Sequence, residues 1–276
     1  MSTISVGQAV VLGAVEGVTE FLPMSSTGHL KITEGLMGIQ VDDRAVVGFS
    51  AGIQVGAIAA VLVYLQGHRQ DRFRWFRGIL DTGERQDRDY RFAWWVIAAT
   101  IPIVPVGSAA RSLIEGPLAS WWVVAGSLIA GSGVMWVAEQ VGRRRRAEED
   151  TRFRDAMLVG GSQILALLFP GFSRSGATMS TALLLDLDPG AATRLSFSLG
   201  IPALTGAGLH ELRDVLGTGV GAAPLLAGTT VSFAIAYVSI AWLLKSVTGR
   251  SSSVFIAYRI AVGVLLFGLL GAGGLS

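Results

Sequence analysis

The sequence predicts an all-α integral membrane protein with six transmembrane helices and two re-entrant helix-loop-helix segments, arranged in inverted-topology repeats. Three observations support this prediction: the chain is strongly apolar, its charges are concentrated in two segments, and two apolar segments are interrupted in the middle. Of the 276 residues, 51% are hydrophobic and 15% are charged, whereas a soluble domain carries about 25% charged residues. This composition argues against a soluble enzyme, a disordered chain and a nucleic-acid-binding domain.

Charged residues cluster at 67–91 and at 139–155, and the second cluster includes the four consecutive arginines 143–146. Arginine beside apolar spans is typical of the cytoplasmic face, so we predict that both clusters are cytoplasmic loops. The arginine run is interpreted as a topology determinant or as a contact to anionic lipid. The chain has no cysteine, which excludes thiolate nucleophiles and cysteine-bound zinc.

Apolar segments of about 20 residues are long enough to cross a bilayer as helices. Six segments meet this condition: 48–66, 92–110, 119–140, 194–210, 221–244 and 253–272. Two further segments, 4–37 and 157–187, carry proline, glycine and hydroxyl residues near their middle. Interrupted helices survive at membrane depth only where they are buried in protein or line a polar cavity. We therefore predict that both segments enter the membrane and return to the same side.

The chain also repeats itself. Residues 16–26 align with a segment 147 positions later, and residues 49–53 match a segment 148 positions later. If the interrupted segments are re-entrant, the two copies enter the membrane from opposite sides. We predict a single membrane domain over 1–276, with repeat one at about 1–140 and repeat two at about 156–276, joined by the basic cytoplasmic loop. Inverted repeats bring their interrupted helices together near the midplane, where a site forms.

Two acidic residues, Glu16 and Glu20, lie four positions apart and therefore share one face of a helix. An ionisable residue inside a membrane indicates a functional site by default. The alternative is a helix near the interface, with both carboxylates in water. The functional interpretation is a divalent cation site, with Mg²⁺ or Ca²⁺ as the cofactor, or one acid acting as a base.

The first interruption continues with Ser25, Ser26, Thr27 and, after a glycine, His29. Hydroxyls that lead into a short apolar stretch indicate a helix N-terminus, which is an anion site when its amides are free. The alternatives are a plain N-cap and a structural histidine. Beside two glutamates and three hydroxyls, His29 is better placed as a nucleophile or general acid.

The second interruption contains Ser173, Arg174, Ser175 and Thr178, and it also opens a half-helix. Arginine is always charged and binds phosphate oxygens with two N–H groups. A structural ion pair is the alternative, but the flanking hydroxyls favour an anion. Acids, an arginine, helix N-termini and a nucleophile together suit phosphoryl transfer.

Residues 16–29 closely resemble the first signature of the bacterial undecaprenyl-diphosphate phosphatases, the bacitracin-resistance family, and residues 170–178 resemble the second. The resemblance covers essentially the whole chain. It implies six spanning helices, two re-entrant helix pairs and a site that opens toward the outer face of the cytoplasmic (inner) membrane. It also implies hydrolysis of the C55 lipid diphosphate to the monophosphate, which recycles the carrier for peptidoglycan synthesis and confers bacitracin resistance.

The candidate site residues divide into three groups. Those predicted to be catalytic are Glu20, Ser26, His29 and Arg174. Those predicted to bind substrate are Ser25, Thr27, Ser173, Ser175 and Thr178. Those predicted to bind the metal are Glu16 and Glu20. The attacking group is Ser26 or His29, with Ser26 preferred and His29 assisting.

The expected partners are the polyprenyl diphosphate lipid and membrane lipids, with no nucleic acid, and a homodimer is compatible with the resemblance. A transporter or flippase of the prenyl phosphate carrier is the alternative function. Broken helices in inverted repeats also suit transport.

Overall fold

A computed structural model describes residues 4–41, 43–67, 88–114, 116–215, 221–247 and 251–273. Within these ranges the chain is helical and contains no β-strand. In chain order the α-helices are α1 (Val6–Thr19), α2 (Ser26–Leu36), α3 (Arg44–Gly67), α4 (Arg88–Thr100), α5 (Ile103–Ala109), α6 (Arg111–Ile114), α7 (Trp121–Val141), α8 (Phe153–Gly161), α9 (Gln163–Leu168), α10 (Arg174–Leu184), α11 (Pro189–Val215), α12 (Ala222–Val247) and α13 (Ser253–Gly271). The predicted all-α class is confirmed.

Five segments of the described chain are long and apolar enough to cross a membrane. They are Arg44–Tyr64, Tyr90–Ala109, Trp121–Val141, Ala222–Ser246 and Ser253–Gly271. The sixth predicted span, 194–210, lies within the 27-residue α11, which contains Pro202 and is not among these five. A multi-pass membrane protein is therefore supported, while the count of six spans with re-entrant segments stays a prediction. Most of the charged cluster at 67–91 lies outside the described residues.

The first interrupted segment consists of α1, a turn and α2. The 14-residue α1 begins at a capping box, in which the Ser5 side chain accepts a hydrogen bond from the Gln8 amide. The 11-residue α2 begins after Ser25, which has φ 76° and accepts a hydrogen bond from the Gly28 amide. At 1.5 Å per residue α2 is about 16 Å long, well short of the roughly 30 Å bilayer core.

The second interrupted segment consists of α8, α9, a turn and α10, and it repeats the geometry of the first. Ser173 has φ 72° and its side chain accepts a hydrogen bond from the Gly176 amide. These two residues stand 148 positions after Ser25 and Gly28. A positive φ is strained for serine, and such strain often occurs at functional sites. The two turns therefore share one strained conformation, and the inverted orientation of the repeats stays a prediction.

Close helix packing holds the interrupted segments in place. Helix α1 packs on α12, α12 on α3, α3 on α11, and α7 on α13. A Cβ added to Gly17 of α1 would lie 2.7 Å from the Ser232 carbonyl oxygen of α12. Small residues allow this approach, as is common where membrane helices meet. The close approach fixes α1, which carries Glu16 and ends just before Glu20, against α12.

The end of the arginine run has a structural role. Arg146 forms a 2.5 Å ion pair with Asp155, at the start of α8, and its backbone exchanges hydrogen bonds with Asp186 and Asp188 after α10. The hydrogen bond that Arg146 donates to Asp155 raises the pKa of the Arg146 guanidinium. Arg146 therefore ties the loop to the second interrupted segment, whereas the other three arginines of the run are exposed.

Candidate active site

A cavity of about 350 Å³ lies between the two interrupted segments and is lined by residues from both. Seven of the residues predicted to form the site line it: Glu16, Glu20, Ser25, Ser26, Thr27, Ser173 and Arg174. They come from two stretches of sequence that are about 150 residues apart. The structure thus brings the two motifs into one site.

Glu20 links the two halves of the site. Its Oε1 accepts a 2.9 Å hydrogen bond from Arg174 Nη2, and its Oε2 accepts a 2.5 Å hydrogen bond from Ser26 Oγ. Glu20 is 5% exposed. A buried carboxylate is stable only when its charge is compensated, and the arginine supplies that compensation here. The serine hydroxyl is therefore held against a carboxylate that could accept its proton.

Buried polar atoms without a hydrogen-bond partner concentrate around this cavity. Across the described ranges six side-chain atoms have this property, and five of them belong to Glu16, Gln163 and Arg174. These atoms are both oxygens of Glu16, Oε1 of Gln163, and Nε and Nη1 of Arg174. All three residues line the cavity. Unsatisfied buried polar groups are costly and rare, so their concentration indicates that the cavity binds a polar ligand.

Ser175 and Thr178, predicted to bind substrate, do not line the cavity. Ser175 Oγ donates a 2.9 Å hydrogen bond to the Leu22 carbonyl and so joins the two interrupted segments. Thr178 Oγ1 lies 2.6 Å from Ser196 Oγ of α11 and donates to carbonyls of its own helix. Both hydroxyls hold the fold of the site in this structure.

His29 also lies outside the cavity lining. Its Nδ1 is 2.8 Å from the Ser25 carbonyl oxygen, and its Nε2 is 2.8 Å from the hydroxyl of Tyr258 in α13. Its ring stacks on the tyrosine ring with centroids 5.5 Å apart. Both ring nitrogens therefore have partners, and this geometry favours a role in positioning the Ser25 turn over one as the attacking group.

Gln163, Lys31 and Glu34 also line the cavity, although they are not among the predicted site residues. Gln163 is the repeat counterpart of Glu16. Lys31 donates a 3.2 Å hydrogen bond to the Ala119 carbonyl, and Glu34 accepts a 2.9 Å hydrogen bond from Ser50. Lys31 and Glu34 could have been predicted as site residues from the sequence, because a lysine and a glutamate three positions apart in a short apolar helix are unusual.

Arg259 of α13 is a further residue that the site prediction missed. It is fully buried, and its guanidinium donates to the Pro23 carbonyl of the first turn at 3.0 Å. It also donates to the carbonyls of Gly171 and Phe172 in the second turn, at 3.1 and 2.9 Å. One side chain therefore fixes the two interrupted segments against each other.

Replacing Arg259 by methionine should destabilise the protein by at least about 3 kcal/mol, because three buried carbonyls would lose their partner. The measurement is thermal unfolding of the purified protein in detergent. Arg145→Met, at an exposed position, is the control and should leave the melting temperature unchanged. Equal melting temperatures for the Arg259 variant and the wild type would contradict the role of Arg259 as a clamp.

The fold and the cavity define a class: an all-helical, multi-pass membrane protein whose buried site combines a serine, glutamates and an arginine from two interrupted helical segments. The chain belongs to the family described as bacitracin resistance protein BacA, whose sequence model matches residues 9–265. The predicted family is thereby confirmed.

Curated relatives match the chain along nearly its full length. It is 74% identical to undecaprenyl-diphosphatase 1 of Streptomyces coelicolor, over 99% of each chain. It is 66% identical to undecaprenyl-diphosphatase 1 of Frankia alni, over 100% of each chain. It is 48% identical to the undecaprenyl-diphosphatase of Acidothermus cellulolyticus, over 96% of each chain. These relatives confirm the prediction that the chain is a phosphatase.

Proposed function

We propose that the chain hydrolyses undecaprenyl diphosphate to undecaprenyl phosphate and inorganic phosphate. This reaction would recycle the lipid carrier for peptidoglycan synthesis and confer bacitracin resistance. The observation that carries the proposal is the contact of Glu20 with both Ser26 and Arg174 inside a cavity lined by unpartnered polar groups. The names of the relatives support the choice of substrate.

Phosphate binding is assigned to Arg174 and to the two helix N-termini. One N–H of Arg174 contacts Glu20, while Nε and Nη1 have no protein partner in the described chain. These donors suit phosphate oxygens. The N-termini of α2 and α10 add a positive dipole end beside Ser26 and Ser173. The diphosphate would therefore lie between the two turns, with its prenyl chain toward the lipid.

In the chemical step, Ser26 Oγ attacks the terminal phosphorus and Glu20 accepts its proton. The bond from the terminal phosphorus to the bridging oxygen breaks, and undecaprenyl phosphate leaves. Water then hydrolyses the phosphoserine and releases inorganic phosphate. Arg174 stabilises the charge on the transferred phosphoryl group and holds the Glu20 carboxylate in place through its ion pair.

A divalent cation, Mg²⁺ or Ca²⁺, is proposed as the cofactor, and the residues fit it. In the described part of the chain no group of three or more His, Cys, Asp and Glu side chains is arranged to hold a metal. Mg²⁺, however, commonly uses one or two carboxylates together with substrate phosphates. Glu16, whose two buried oxygens are unpartnered, and Glu20 would hold it. When bound, the cation would offset the charge of the phosphates.

The proposed location is the bacterial cytoplasmic (inner) membrane, with the site opening toward the outer face. The exposed arginines at 143–145 support a cytoplasmic position for that loop. The matched turns at Ser25 and Ser173 support an internal repeat, and the opposite orientation of its two copies is part of the proposal. A homodimer in the membrane is also part of the proposal.

The test is phosphate release from a long-chain prenyl diphosphate by the purified protein in detergent, with Mg²⁺ and with chelator. Metal-dependent release is expected. Because detergent removes the two membrane sides, transport cannot produce this signal. Bound lipid without release from well-folded protein would overturn the proposal and favour a flippase.

Gly200 of α11 provides a way to move Arg174 without changing it. A Cβ at Gly200 would overlap the Arg174 guanidinium and lie 2.9 Å from its Cζ. Gly200→Ala should therefore displace the guanidinium and lower phosphate release roughly 10- to 100-fold, because small misplacements of a positioning group are costly. Gly206→Ala, in the same helix with open space around it, is the control. Equal rates for the two variants would contradict the proposed position of Arg174.

A further inference from the structure

Gln163 lines the cavity, but the proposed reaction assigns it no role. It is the first residue of α9, and Ser162 separates it from α8. It is 3% exposed and lines the same cavity as Glu16 and Arg174. A buried amide normally has its hydrogen bonds satisfied. The unsatisfied oxygen of Gln163 therefore calls for an explanation.

The orientation of the amide follows from its one hydrogen bond. Nε2 is 3.4 Å from the Gly160 carbonyl oxygen, which accepts and cannot donate. The nitrogen must therefore face that carbonyl, which leaves Oε1 as the free end of the side chain. Oε1 is buried and has no partner among the described residues.

The unpartnered polar atoms around the cavity include both hydrogen-bond acceptors and hydrogen-bond donors. Glu16 contributes two acceptor oxygens and Gln163 one, while the unpartnered donors belong to Arg174. Phosphate oxygens are acceptors, so they suit the arginine and are repelled by the glutamate and the amide oxygen. Three oxygen acceptors with no donor suit a hard cation, which prefers carboxylate and amide carbonyl ligands.

We propose that Gln163, through Oε1, is a ligand of a divalent cation that it shares with Glu16. This inference rests on the proposed metal-assisted hydrolysis and adds a ligand from the second interrupted segment. The cation then joins the two segments, just as Glu20 and Arg174 do.

The charge of the cavity explains why an amide is suitable at this position. Glu16, Glu20 and Glu34 already line the cavity, against Lys31 and Arg174. A fourth carboxylate would bind the cation more tightly but would repel the diphosphate. Glutamine supplies an oxygen without added charge. Its repeat counterpart is Glu16, so the two halves contribute one charged ligand and one neutral ligand.

The test is Mg²⁺ binding to the purified full-length protein in detergent, measured by isothermal titration calorimetry without lipid substrate. Gln163→Met keeps the length of the side chain and removes the oxygen. The Kd of this variant for Mg²⁺ should therefore rise roughly tenfold or more. Gln163→Glu keeps an oxygen and adds a charge, so its Kd should fall below that of the wild type. Gln140→Met, at an exposed position in α7, is the matched control and should bind as the wild type does.

A Kd for Gln163→Met within twofold of the wild-type value would overturn the proposal, as would a wild type that binds no Mg²⁺. If Gln163→Met does not fold, Gln163→Glu decides the question. Weaker binding by that variant would show that Gln163 is needed for its hydrogen bond to Gly160. The proposed function fails separately, when the wild type releases no phosphate from the prenyl diphosphate.

Discussion

Replacing Arg174 by lysine is expected to lower phosphate release roughly 10²- to 10³-fold. Lysine retains the positive charge, but its three N–H groups share a single nitrogen and cannot form the planar fork with which arginine contacts Glu20 and a phosphate together. In the structure one nitrogen of Arg174 contacts Glu20 at 2.9 Å, and the other two have no protein partner within the described residues. Both kcat and kcat/KM should fall, because the lost contacts strengthen in the transition state.

The matched control for this experiment is Arg154→Lys, which makes the same change at an exposed position in α8. It should leave both kinetic constants unchanged. Retention of more than a tenth of wild-type kcat by Arg174→Lys would mean that charge alone suffices. The assignment of phosphate binding to the planar guanidinium would then be wrong.

Replacing Ser26 by alanine is expected to reduce phosphate release roughly 10³-fold or more, because the proposed attacking atom is removed. Ser26 Oγ lies 2.5 Å from the Glu20 carboxylate, which could accept its proton. Substrate labelled in its terminal phosphate should also label the wild-type protein when the reaction is quenched rapidly. The Ser26 variant should give no labelled protein.

His29→Asn separates the two candidates for the attacking group. Because both nitrogens of His29 already have partners and His29 itself does not line the cavity, we expect a smaller loss of rate and retained labelling. Ser112→Ala, at an exposed position in α6, is the control for loss of a hydroxyl. Labelled protein from the Ser26 variant, and none from the His29 variant, would reverse the assignment.

Much of the site could be predicted from local patterns. Glu16 and Glu20 share a helix face because of their spacing, and the hydroxyl-rich turns at Ser25 and Ser173 both begin short helices. These are properties of neighbouring residues, so no tertiary information was needed. The repeat offset also indicated that Arg174 would meet the acids, and the 2.9 Å ion pair with Glu20 agrees with this.

Other parts of the site depended on how each short helix is rotated about its axis. Ser175 lies beside Arg174 in sequence, yet its hydroxyl contacts the Leu22 carbonyl. His29 is three residues after Ser26, yet it packs on Tyr258, 229 positions away. The rotation of an 11-residue helix is decided by what packs on each face, and its own sequence does not reveal that partner.

The helical membrane class, the two interruptions, the acid pair and the arginine of the site follow from composition and short-range spacing, so they could be read from the chain without its tertiary structure. The tertiary structure decided which side chains of each turn line the cavity. It also showed that Arg259 joins both turns and that Gln163 keeps a free oxygen in the cavity that Glu16 also lines. Those outcomes depend on contacts between residues more than 80 positions apart, which helix packing alone brings together.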